Sequence, residues 1–260
     1  MEKQFRIYDN RSRITGKKLP ILSQGTNAKT NKSDKLGQYL TGIVYLSPYK
    51  KSGKNLCSHA TLGCIFSCLD TAGRGQMSNV QKGRLRKSLL FLNNKQEYFN
   101  QLFLDISKLV NKCEKQGKKT AIRLNGTSDL PYENMLFGEN NSIFDIFPDV
   151  QFYDYTKNIK RIPRNSGYSD TIGLYRKFPT NYHLKFSYSE NTTDDKIKAL
   201  ISRETNVAVV FRNKLPKTWK GFEVINGDLH DLRFLDKRGV IVGISAKGKA
   251  KKDTTGFVVN

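Results

Sequence analysis

Residues 39–76 read YLTGIVYLSPYKKSGKNLCSHATLGCIFSCLDTAGRGQ, and the fold turns on how this stretch is parsed. Its first part, Tyr39 to Tyr49, is apolar, β-branched and aromatic, the pattern of a buried strand, stopped by Pro48. Its second part, Lys54 to Gln76, holds three of the chain's four cysteines, Cys57, Cys64 and Cys68, in the order C-x6-C-x3-C. It closes in a glycine-rich turn that leads into a basic helical stretch. A cysteine-lined loop after an early strand suits an inorganic cofactor if the rest of the chain alternates strand and helix.

Outward from this stretch the alternation continues. Asn79 to Lys115 has apolar positions near helical spacing, among them Leu85, Leu89, Phe103, Ile106 and Val110. Asn93-Asn94 divides it into two helices, and Gly117 is its stop. KTAIRLNGTSDL is the next strand, turning at Asn125-Gly126, and SIFDIF is a short helical piece before Pro148. VQFYDYTK and NYHLKFSYSE are strands, with an unassigned basic stretch, Asn158 to Lys177, between them. Thr193 to Arg203 is a helix capped by Thr192 or Thr193, with Asp194 and Asp195 in its first turn. NVAVVFR, FEVINGD and GVIVGISAKG complete the strands. The fold class is therefore α/β, one domain over residues 39–260: a partial (β/α) barrel with a mainly parallel sheet. Residues 1–38 are polar and basic, an irregular lead-in with one short strand near Phe5 to Tyr8.

Charge points to partners. The 45 Lys and Arg exceed the 23 Asp and Glu, for a net charge of +22, which predicts attraction to polyanions, nucleic acid first. The basic groups that could meet phosphates beside aromatic residues are Lys50, Lys51, Lys54, Arg74, Lys82, Arg84, Arg86, Lys160, Arg161 and Arg164. The N-terminus has no apolar signal-peptide core, and no run approaches the roughly 18 apolar residues of a membrane span. A cytosolic protein without membrane attachment is expected, where clustered thiols serve metals better than disulfides.

The strand ends share a polar signature: NGTSD at Asp129, YDYTK at Asp154 and Lys157, SYSE at Glu190, INGD at Asp228 and SAKGK at Lys247. Turn chemistry accounts for any one of these, but a barrel would bring five such ends to one mouth. The cysteine trio has three readings. With His59 as a fourth ligand it could hold zinc, though the six-residue gap does not fit a zinc knuckle. It could be three buried thiols without a metal. Or it could hold three irons of a four-iron cluster and leave the fourth open. Cys113 lies on a helix at an apolar-facing position and reads as core.

NLCSHATLGCIFSCLDTAGRG, AIRLNGTSD, VQFYDYTK, NYHLKFSYSE and VINGD with LRFLD resemble a phage family named after gene product 88, a resemblance that brings no activity with it. More distantly, the layout is similar to the radical S-adenosylmethionine enzymes, partial (β/α) barrels with three cluster cysteines on the loop after the first strand. Their usual spacing is C-x3-C-x2-C, from which this chain departs. That resemblance implies a 4Fe–4S cluster on Cys57, Cys64 and Cys68 and bound S-adenosylmethionine. By position, Asn125, Gly126, Thr127 and Asp129 would meet its amino group, and Ser187, Ser189 and Glu190 its ribose and carboxylate. Asp228 is a further cofactor-binding candidate at its strand end, with Asp154 and Lys157 the catalytic candidates. The open iron would chelate the methionine part, and reductive cleavage would release a 5′-deoxyadenosyl radical near bound nucleic acid. Two other classes stay open. Asp129, Asp154, Glu190 and Asp228 could hold magnesium for a nuclease or replication nickase with Tyr153 or Tyr155 as nucleophile. A plain nucleic-acid-binding protein stapled by zinc is the third.

Overall fold

A computed structural model describes residues 18–25, 28–137, 141–163 and 177–260. In chain order, β1 (Leu22–Gln24) and α1 (Ala28–Asp34) precede β2 (Tyr39–Val44). The short α2 (Leu62–Phe66) and the long α3 (Ser78–Asn93) and α4 (Lys95–Glu114) lead to β3 (Lys119–Arg123). A hairpin of β4 (Leu136–Phe137) and β5 (Asn141–Ser142), then α5 (Ile143–Ile146), lead to β6 (Gln151–Thr156). After β7 (Tyr182–Ser187) come α6 (Asp194–Ile201) and β8 (Val207–Phe211). The chain ends with β9 (Thr218–Trp219), β10 (Phe222–Asn226), β11 (Ile241–Ser245) and β12 (Val258–Val259).

The main sheet runs β1-β2-β3-β6-β7-β8-β11-β10-β9. Every pairing from β2 to β10 is parallel, and β1 and β9 close the two edges antiparallel. The mainly parallel α/β sheet expected from the strand–helix alternation is therefore present. No pairing between its two edges exists among the described residues. Near its carboxyl end the sheet splits. β7 pairs with the first half of β8 (Phe186 with Val207, Ser187 with Ala208). β12 then takes the same role beside the second half (Val258 with Val210, Val259 with Phe211). The last strand of the chain thus fills a gap that opens where β7 leaves its neighbour.

Parallel strands must be apolar on both faces, and here each face has its own cover. On one, Ile122, Phe152, Leu184 and Val209 pack with Leu102, Ile106 and Leu109 of α4. Cys113 lies in this same core, as its apolar position suggested. On the other, Ala121 and Tyr153 pack with Leu232, backed by Tyr39 and Phe234. Asp231 and Asp236 of that covering segment bind the sheet through Arg123 (3.0 Å) and Lys185 (2.7 Å).

Local signals account for the helix ends. Asn94 caps α4 by accepting the N–H of Glu97 at 3.1 Å, which is why the Asn93-Asn94 pair separates two helices. Thr193, not Thr192, caps α6. The lead-in differs from expectation. Its apolar Ile21 and Leu22 are buried, with their N–H groups on Asp105 of α4, and β1 adds an edge strand to the sheet. The strand expected near Phe5 to Tyr8 lies outside the described residues. Among the described residues no helix is long and apolar enough to cross a membrane.

Candidate functional site

The carboxyl ends of β3, β6, β7, β8 and β11 surround a cavity of about 200 Å³. The loop from Cys57 to Leu69 forms its other wall, and Cys57, Cys64 and Cys68 all border it. This is where an open parallel sheet gathers its sites.

The three cysteines are free thiols. The Cys57 Sγ accepts the Tyr49 N–H at 3.4 Å and lies 3.7 Å from the Thr127 carbonyl oxygen, which joins the loop to the turn after β3. Cys64 lies in α2, whose first turn is capped by Thr61, and Cys68 precedes the next helical turn. Burial, against a backbone hydrogen bond and with help from the neighbouring thiols, pushes the Cys57 thiol up to about 12 and Cys68 up to about 11. Burial also raises Cys64, against the Lys157 ammonium. Ligand-free, the trio is therefore neutral at pH 7.

The loop that carries them is clamped from outside. Asp70, fully buried, takes hydrogen bonds from Lys51, Gln81 and Arg84. Burial works to raise its pKa, and these three partners hold it below the ordinary carboxylate value. Glu190 accepts from the Thr61 hydroxyl at 2.7 Å and the Gly63 N–H at 2.8 Å. Gly63 lies so close to the C-terminal segment that a Cβ there would meet Thr255 Oγ1 at 2.1 Å and Phe257 Cβ at 2.5 Å.

The strand ends supply the rest of the wall. Asn125 folds the NGTSD turn back on itself, its Oδ1 accepting from Ser128 (2.9 Å) and the Leu130 N–H (2.8 Å). Gly126 is required there, since a Cβ would meet the Val44 carbonyl oxygen at 2.6 Å. The Thr127 hydroxyl donates to Leu46 O at 2.5 Å. Asp129 accepts the Lys157 N–H at 2.9 Å and pairs with Arg161. The Lys157 ammonium donates to Ser187 Oγ (2.9 Å) and Tyr188 O (3.0 Å), above the Phe257 ring.

Of the candidates read from sequence, the structure brings Cys57, Cys64, Cys68, Asn125, Gly126, Thr127, Asp129, Lys157 and Ser187 to this cavity. Four others stand behind its wall. Asp154 is buried under the turn, accepting the Asn125 N–H at 2.7 Å and the Tyr182 hydroxyl at 3.2 Å. Burial pushes its pKa up to about 7, against Arg123 and the Asn125 N–H. Ser189 bonds Thr192, and Glu190 holds α2. Asp228 accepts the Ser245 N–H (2.8 Å) and the Lys247 ammonium (3.0 Å). Burial works to raise its pKa, and those bonds keep it below the ordinary carboxylate value. Asp129, Asp154, Glu190 and Asp228 therefore each serve a different internal partner, which corrects the picture of one carboxylate-lined magnesium site. Tyr153 is fully buried on the sheet's other cover, while Tyr155 borders the cavity.

The basic candidates divide as well. Arg84 (7% exposed) is committed to Asp70, and Arg161 (2% exposed) to Asp129 and Glu133, which corrects their reading as phosphate contacts. Lys50, Lys51, Lys54, Arg74, Lys82 and Lys160 are exposed, and Arg86 is half-buried against Pro20 O. Arg164 lies outside the described residues.

The sequence reading missed Ser67, Arg123, Ala250 and Phe257 as wall residues. A lone arginine in the apolar strand AIRLN was a usable signal; nothing near Phe257 was. Among the described residues, Ser67 (6% exposed) and Tyr155 carry hydroxyls without a hydrogen-bond partner. Both border the cavity, so polar capacity is left for a ligand.

Three thiols border one wall, part-buried, with the ammonium of Lys157 near Cys64. The set does not fit one zinc ion. His59 is exposed and bonded to Ser58, and among the described residues no three His, Cys, Asp or Glu side chains could hold a metal ion together.

A family model described as "Gene product 88" matches residues 20–260. No curated protein matches the chain, and no solved structure does.

Proposed function

The chain belongs to the gene product 88 family, and on that premise we propose that it is a phage-type iron–sulfur protein resembling the radical S-adenosylmethionine enzymes, acting on or near nucleic acid. The observation that carries the reading is the convergence of Cys57, Cys64 and Cys68, from the loop after the first parallel strand, on one cavity at the strand ends. The sheet is read as a partial barrel whose mouth is that cavity. The cysteines would hold a 4Fe–4S cluster by three irons. Cluster and S-adenosylmethionine together supply reductive cleavage of a sulfonium carbon–sulfur bond.

The chain's own residues would bind, orient and shield. The turn Asn125–Asp129 and Ser187 border the space where the resemblance puts the methionine and ribose groups. Lys157 and Lys247 place ammonium groups at the same wall, where a ligand carboxylate would compete with their present partners Ser187, Tyr188 and Asp228. Ala208, Val210, Ile244 and Phe257 give an apolar floor that keeps water from a reactive intermediate. The excess of positive charge supports a polyanionic substrate or carrier.

Purification without oxygen tests the reading. The expected product is a brown protein with about four irons and matching acid-labile sulfide per chain. Cys57→Ala, Cys64→Ala and Cys68→Ala each lose the iron, and Cys113→Ala keeps it. A colourless preparation with stoichiometric zinc overturns the assignment.

A further inference from the structure

Four apolar side chains in and just after the cysteine loop are exposed to solvent. Leu62 is 80% exposed, Met77 50%, Phe66 43% and Leu69 41%. Exposed apolar side chains this close in sequence, on a strongly charged protein, suit a contact surface. The C-terminal lysines flank it. Gly248 packs on Thr71 and Ala72, 2.7 Å from its Cβ position to Thr71 O, so the helical turn Gly248–Lys252 lies against the turn Leu69–Thr71. Lys249, Lys251 and Lys252 of that turn are exposed.

Negative charge is missing from both segments. From Lys35 to Gln96 the sequence has one acidic residue, Asp70, and from Lys237 to Asn260 one, Asp253. Both are buried. Positive charge next to Leu69 therefore stands without surface carboxylates from either segment.

We infer that this face docks single-stranded nucleic acid, its phosphates on Lys249, Lys251 and Lys252 and its unpaired bases on Phe66, Leu69 and Met77. The inference deepens the nucleic-acid half of the function proposed above and rests on it. A single strand offers a charge and a flat apolar ring in every unit, which matches lysines beside exposed apolar side chains. A duplex keeps its base faces in the stack and would leave the apolar residues against phosphate. Leu69 and Lys247 also border the cavity, so the face meets its wall.

The test is fluorescence anisotropy of the full chain with labelled oligo(dT), oligo(U), a duplex of mixed sequence, and polyglutamate. A single strand binds more tightly than duplex or polyglutamate at equal charge. Phe66→Ala with Met77→Ala weakens strand binding about tenfold or more at an unchanged salt slope. Lys249→Gln, Lys251→Gln and Lys252→Gln together flatten the slope of log K against log salt by about 2. Duplex or polyglutamate bound as tightly as the strand overturns the inference; the polyglutamate result points to an acidic protein instead. So does strand binding that neither set of substitutions changes. Should the apolar variant fail to fold, the wild-type ranking of the four probes decides alone. Iron content is read on the same preparations: strand binding without iron leaves the docking face standing and removes the cluster, and iron without strand binding does the reverse.

Discussion

The Glu190 carboxylate accepts the main-chain N–H of Gly63 at 2.8 Å, across 127 residues of sequence. Its other oxygen takes the Thr61 hydroxyl. One side chain after β7 thus fixes the start of the helix that carries Cys64. The resemblance assigned Glu190 to a cofactor; its partners in the structure belong to the cysteine loop.

Removing that carboxylate leaves the buried Gly63 N–H without a partner. Glu190→Ala is expected to cost about 1–3 kcal/mol. For a chain of this size that lowers the melting temperature by roughly 2–4 °C per kcal/mol. Glu190→Gln keeps an acceptor for the N–H and loses less. Thermal denaturation of the three proteins reads the order directly; equal stability would mean that the loop is held elsewhere.

Gly63→Ala attacks the same joint from the other side. The added Cβ runs into Thr255 and Phe257, and overpacking of this kind costs about 1–3 kcal/mol. Relief has to come from movement of α2 or of the C-terminal segment, so iron retention after anaerobic purification should fall along with stability. Retained iron at wild-type stability would show that the C-terminus does not brace the loop.

Arg161 separates a structural from a surface role. Its guanidinium bonds Glu133 and Asp129 inside the protein, so Arg161→Met strands two carboxylates and is expected to cost about 3–5 kcal/mol. Lys160, its exposed neighbour, should change stability by no more than about 0.5 kcal/mol as Lys160→Gln. Urea unfolding curves of the two variants give the comparison.

The same neighbours mark the limit of what the sequence discloses. The parallel sheet was legible because β2, β8 and β11 are largely apolar runs and helical periods precede β3 and β8. The cavity was legible to the extent that polar residues end those strands. Which of them face it does not follow from the strand period alone: Tyr155, Thr156 and Lys157 all border the cavity, and Asp154 lies under the neighbouring turn. Arg84 and Arg161 read as surface charge because the carboxylates that bury them, Asp70 and Glu133, come from other segments. The contribution of Phe257 depends on a strand that fills the split beside β8, and a two-residue pairing leaves no periodic trace.

Asp154 makes a pH prediction whose sign can be fixed. Burial raises its folded-state pKa from the model-compound 3.8 to about 7. Between those values the folded carboxyl keeps a proton that the unfolded chain has released, so this group makes stability fall as pH rises. His183 opposes it: burial depresses its folded-state pKa to about 3 from 6.5, so its contribution rises with pH over most of the same window. The wild-type profile adds to these the contributions of Asp34, raised, and of Asp70, Asp228 and Asp253, lowered. Asp154→Asn removes its falling component, so urea unfolding free energy should rise more steeply between pH 4 and 7 than in wild type. Parallel profiles would mean that Asp154 is ionised in the folded protein.

The thiols give a last test, in the metal-free protein. Burial holds Cys57 near 12 and Cys68 near 11, and raises Cys64 as well. Only the thiolate is alkylated, so iodoacetamide at pH 8 should modify all three far more slowly than in the unfolded chain. Lys157 acts on one of them: its ammonium favours the Cys64 thiolate, and Lys157→Met should slow Cys64 further while leaving Cys68 unchanged. Peptide mass mapping over time separates the three sites. A metal that binds here must displace the thiol protons, so metal uptake should strengthen steeply with pH, and its presence should protect all three cysteines together. Protection of one cysteine alone would break the claim that the trio shares a ligand.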